Sequence, residues 1–109
     1  MNYTWQILRF NLNDELNHEG TLLENSIVNI KWKRVATDTD GTSASYVGNT
    51  KLSAANTAAD DFIALNTVTK DTAIGWIEAN LGSDEINRIN SQLDYKIERN
   101  RVRQVKPSF

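Results

Sequence analysis

His18 is the only histidine of the chain and there is no cysteine, so the residue types that most often carry metal, nucleophilic and general-base chemistry are nearly absent. A zinc or iron–sulfur site has no thiolate to use, and His18, beside Glu19 and Gly20, has no second histidine to complete a ligand set. General-base work would need a partner within hydrogen-bond reach, and no sequence neighbour nominates one. His18 therefore reads as a solvent-exposed loop residue. Asp38-Thr39-Asp40-Gly41 begins like a calcium loop, but its glycine comes two positions early and no closing glutamate follows, which favours a hairpin turn. The five glycines, Gly20, Gly41, Gly48, Gly75 and Gly82, are scattered and build no phosphate loop or dinucleotide turn; no Gly-x-Ser-x-Gly elbow is present. The expectation is a binder, not an enzyme, with no cofactor, no metal and no catalytic residue.

Contact chemistry is what remains. From Asp94 to Phe109 the cations Lys96, Arg99, Arg101, Arg103 and Lys106 face only Asp94 and Glu98, a local balance of +3. Arg101, Val102, Arg103, Val105, Lys106 and Phe109 alternate charge with apolar anchors, the pattern of a tail that docks on a neighbouring protein surface. The same cations could touch phosphates, although few aromatic platforms are interleaved among them. Trp5, near the end of a candidate edge strand, is a further candidate partner contact, with core burial as the plainer reading.

The elements that position these residues follow from periodicity. Tyr3, Trp5 and Ile7 alternate with Thr4, Gln6 and Leu8, which predicts a strand over Tyr3–Phe10. Asn11 to Asn25 is rich in Asn and reads as a long excursion, pinned by Leu12, Leu16, Leu22 and Leu23. Val28, Ile30, Trp32 and Ala36 against Asn29, Lys31 and Lys33 predict the central strand, over Ser26–Thr37. Asp38–Gly41 turns it into a hairpin with Ser43–Leu52, where Ala44, Tyr46 and Leu52 alternate with polar residues. Ser53–Asp61 reads as a loop leading to the anchors Phe62, Ile63 and Leu65.

Thr69 is a candidate N-cap and Asp71 complements the first turn of a helix over about Lys70–Leu81, with Ala73, Ile74, Ile77 and Leu81 on one face and Trp76 at its flank. Gly82 is its expected terminator. Ser83 then caps a second helix, lined by Ile86, Ile89, Leu93 and Ile97. Strands followed by helices give the order β-β-β-α-α: an α+β fold in which a three-stranded antiparallel sheet carries two C-terminal helices on one face. Residues 1–99 form the single domain and 100–109 an extended basic tail.

Composition bounds the partners. Twelve basic and fourteen acidic residues leave a formal charge of −2, so no global field draws the chain to nucleic acid or an acidic membrane, and any such binding must be local. The first residues carry no basic and apolar leader pattern, and no stretch has the roughly 18 apolar residues of a membrane span.

Tyr3-Thr4-Trp5, Val28-Asn29-Ile30-Lys31-Trp32 leading to Thr39-Asp40-Gly41, Thr72-Ala73-Ile74-Gly75-Trp76-Ile77 and Leu81-Gly82 together resemble a family of small uncharacterised proteins of marine tailed phages, notably those of cyanobacteria. The similarity runs from Tyr3 to about Leu93. That family often ends in a proline-rich tail with a terminal aromatic segment, whereas this chain has only Pro107 before Ser108 and Phe109, and added basic residues. The resemblance implies a phage origin and brings no catalytic residue. It points to a virion accessory or structural protein of capsid or tail, assembled in the host cytoplasm, whose partners are other virion proteins or copies of itself. The alternative is an intracellular phage protein that binds and modulates a host or phage factor. Nucleic acid held by the tail is a lesser option, and no membrane partner is expected.

Overall fold

The computed structural model describes residues 1–53, 62–63, 65–103 and 107. Three antiparallel strands, β1 (Asn2–Leu16), β2 (Leu22–Thr37) and β3 (Ser43–Lys51), precede a 3-10 turn at Leu65–Thr67 and a helical element, α1 (Lys70–Arg103). The class is α+β, and the sheet order β1-β2-β3 puts β2 at the centre, as its alternation predicts. Trp32 of β2 lies opposite Ile7 on one side and Gly48 on the other, and Ile30 lies opposite Phe10 and Thr50. The Asp38–Gly41 turn forms as expected: Gly41 N donates to Asp38 O at 3.0 Å, and Gly41 takes a φ of 88° that suits a residue without a Cβ.

α1 begins where capping chemistry predicts. Thr72 N donates to Thr69 Oγ1 at 3.2 Å, satisfying one of the amides that the first turn leaves without an intrahelical partner. Ala73, Ile77, Ile89, Leu93 and Ile97 then bury against Trp5, Ile30, Trp32 and Ala36 of the sheet. Each large side chain removed from water contributes roughly 1.5–3 kcal/mol, so this one-sided sandwich is the main source of stability. The expectation of two helices is corrected. One helical element runs from Lys70 to Arg103, with a kink at Gly82, whose φ of 79° and ψ of 160° lie outside the helical range. Gly82 thus breaks the helical backbone, as expected, without ending the element, and the stripes on both sides of it reach the same core. Asn100–Arg103 belong to α1 as well, so an extended tail begins no earlier than residue 104.

The polar stretch Asn11–Asn25 is also corrected, from an excursion to a hairpin. β1 and β2 stay paired to Leu16 opposite Leu22, and the turn is only Asn17–Thr21, where Asn17 Oδ1 accepts from Glu19 N and Thr21 N at 3.0 and 2.9 Å. β3 pairs with no residue of β2 before Asn29, so the far end of this hairpin is a two-stranded arm. Most of its side chains are Asn, Asp, Glu and exposed Leu, which hides strand alternation, although Asn17, Leu23 and Ser26 are buried. With β2 alone spanning roughly 50 Å at about 3.3 Å per residue, the molecule measures 72 × 25 × 18 Å. Of the leucines expected to pin this stretch, Leu23 is 4% exposed, whereas Leu12, Leu16 and Leu22 are 42%, 64% and 50% exposed.

Register shifts decide which side chains reach the core. An extra residue in β1 between Ile7 and Arg9 leaves Leu8 exposed and brings Phe10 into phase with Ile30. A second shift, in β2, lets Ile27 and not Val28 pack against the core. Ile63, expected as an anchor, is 42% exposed, while Phe62 and Leu65 are half-buried. The expected loop Ser53–Asp61 lies outside the described residues beyond Ser53.

Candidate functional site

Alternation places position 34 of β2 on the core face, and the residue there is a cation. Arg34 is 9% exposed; its guanidinium carbon stands 4.3 Å from the centre of the Trp5 ring and 5.4 Å from that of Tyr3, and its Nε donates to Asn90 Oδ1 at 3.1 Å. Burial pushes its pKa down, against the pull of Glu78 and Tyr3, yet a guanidinium stays charged under these conditions. Beside it, the Tyr3 hydroxyl donates to Asp94 Oδ1 at 2.7 Å. This cluster ties β1, β2 and α1 together, and its aromatic faces offset the desolvation of the cation. It is a structural staple. The signal in the sequence was the parity of Arg34 with Trp32 and Ala36.

Trp5, expected as a candidate partner contact, is corrected to a core residue. It is 6% exposed and meets Trp32 edge-on, with ring centres 5.2 Å apart and planes at 86°. At 6% exposure almost none of the indole reaches solvent, where a partner could touch it. The other candidates are not brought to it by any described contact. Arg101, Val102 and Arg103 form the last turn of α1, while Val105, Lys106 and Phe109 lie outside the described residues. His18 is exposed in the turn of the arm.

Three accessible apolar or aromatic features stand out among the described residues. The arm carries Leu12 and Leu16, four residues apart and so on one face of β1, with Leu22 directly opposite Leu16 and Ile27 opposite Leu12. This apolar stripe continues outward from Phe10 beyond the reach of α1. A shallow groove of about 500 Å³ follows the β1 side of the sheet between Ile7, Leu8, Phe10 and Val68. On the outer face of α1 a second groove, of about 470 Å³, lies among Arg88, Gln92, Tyr95 and Arg99; Tyr95 is 65% exposed there, and the Arg99 guanidinium stands 5.9 Å from its ring centre. Near that groove Glu85 pairs with Arg88, which lowers the carboxyl pKa and raises that of the guanidinium. Among the described residues no three His, Asp or Glu side chains converge as a metal site needs, and no helix is long and apolar enough to cross a membrane.

These features are open surfaces of the sheet and helix. No curated protein and no solved structure matches the chain. The family is shown by a model that matches residues 1–108: the chain belongs to the family described as Domain of unknown function (DUF7936).

Proposed function

We propose that this protein is a non-enzymatic phage protein that acts through protein–protein contacts, as a small accessory of the virion attached to capsid or tail. The observation that carries the contact role is the apolar stripe of the arm. Leu12, Leu16 and Leu22 stand 42%, 64% and 50% exposed on a two-stranded ribbon. The apolar area that these leucines leave in water gains free energy only when another surface covers it. β1 is also an edge strand along its whole length, so backbone donors and acceptors are available beside the stripe for strand addition. The place in the virion rests on the sequence resemblance to proteins of marine tailed phages.

Mass spectrometry of purified particles tests the placement, and copies of this chain in them are the expected result. Absence from the particles, with recovery of the chain in a defined complex from infected cells, would replace the virion role by that of an intracellular binder. A chain carrying Leu16→Lys and Leu22→Glu, which puts opposite charges at facing positions, should fold normally and lose its partner; unchanged association would remove the arm from the contact.

A further inference from the structure

The solvent face of the sheet, opposite the helix, has a composition unlike the rest of the chain. Arg9, Lys31, Lys33 and Lys51 lie on it. Arg9 and Lys31 are directly opposite each other, Lys33 is two residues along β2 on the same side, and Lys51 pairs with Asn29, two residues the other way. From the row Asn2–Thr37–Ser43 to the row Asn11–Asn29–Lys51 this face holds no aspartate or glutamate, although acidic residues outnumber basic ones, fourteen to twelve, in the whole chain. None of the four cations makes an ion pair with a described residue. Like charges at directly opposite positions of a sheet repel and cost stability, so folding gives no reason for Arg9 to face Lys31. A ligand of the opposite sign does.

Amide side chains separate the cations: Gln6 lies opposite Lys33, and Asn29 donates to Asn49 Oδ1 at 3.1 Å beside Lys31. Lys, Arg, Asn and Gln together are the side chains that hydrogen-bond phosphate and sugar oxygens of nucleic acid. The three tryptophans are elsewhere, Trp5 and Trp32 in the core and Trp76 packed against it, so the face offers no platform on which unpaired bases could stack. It also lacks the aromatic anchors with which a protein seats itself in a lipid interface. We infer that the open face of the β1-β2-β3 sheet binds the phosphate backbone of duplex nucleic acid, without reading its sequence, through Arg9, Lys31, Lys33 and Lys51. This site is separate from the apolar stripe and does not depend on the contact role proposed for it.

Fluorescence anisotropy with a labelled duplex DNA, titrated with the full chain at several salt concentrations, tests the inference. Four phosphate contacts predict that affinity falls roughly 100-fold between about 50 and 200 mM salt. The variant Lys31→Gln with Lys33→Gln should melt no lower than the wild type and about halve the slope of log affinity against log salt. Charge reversal by Lys31→Glu and Lys33→Glu should abolish binding. An equal-length single strand should bind more weakly than the duplex. The inference is overturned if duplex does not bind at low salt, if the sheet variants bind like wild type while Arg101→Gln with Arg103→Gln and Lys106→Gln does not, or if anionic phosphatidylserine vesicles bind and duplex does not.

Discussion

Trp32 lies so close across Gly48 that a Cβ added to the glycine would stand 2.5 Å from Trp32 Cζ2 and 2.6 Å from Cη2. The indole cannot retreat. Trp5 abuts it edge-on, Tyr46 stacks on it with ring centres 6.0 Å apart, and its Nε1 donates to Thr50 Oγ1 at 2.9 Å. Gly48→Ala should therefore destabilise the fold by about 1–3 kcal/mol, the usual cost of forcing atoms into a packed core. Denaturant unfolding measures it, and a variant as stable as wild type would mean that the sheet can open at β3.

Trp32 itself should be the most costly single truncation. It is 2% exposed and touches all three strands' core side chains, so Trp32→Ala is expected to cost about 3–5 kcal/mol. Thr50→Val tests the buried hydrogen bond separately, because it strands the indole donor while nearly conserving volume; about 1–3 kcal/mol is expected.

Alkaline pH should loosen the link between β1 and α1. The hydrogen bond to Asp94, then burial and the nearby carboxylate charge, raise the Tyr3 pKa above its ordinary value, with Arg34 opposing. An unfolded tyrosine loses its proton near pH 10, while the folded one holds it to higher pH. The folded state then binds more protons, so stability falls as pH rises above about 10 and through the folded pKa. Tyr3→Phe should flatten this dependence in denaturant midpoints taken on both sides of pH 10.

Relieving the cation pair on the open face should separate stability from binding. Lys31→Thr removes the charge opposite Arg9 and places a β-branched residue on the central strand, which predicts a gain of about 0.2–1 kcal/mol. The same variant should bind duplex DNA more weakly. A melting temperature below that of wild type would show that Lys31 has a stabilising partner.

The outward leucines of the arm should be dispensable for folding. Leu16→Lys with Leu22→Glu puts opposite charges at facing positions and changes two side chains that are 64% and 50% exposed, so calorimetry should find the main transition unmoved.

Local chemistry made part of this architecture legible in the sequence alone. The Asp38–Gly41 turn, the Thr69 cap and the break in the helix at Gly82 each depend on a few successive residues, and the central strand declared itself because only one of its faces is apolar. These features needed no knowledge of distant partners. Tertiary structure decided the rest. The extra residue at Leu8 and the shift beside Val28 set which side chains point inward, and a one-residue change of register reverses faces without any mark in composition. Trp5 and Arg34 became a buried pair because Tyr3 meets Asp94, 91 residues away in the chain. Gly48 matters only because Trp32 crosses it. The cationic face is likewise assembled from three strands, so its charge density exists only after β1, β2 and β3 are laid side by side.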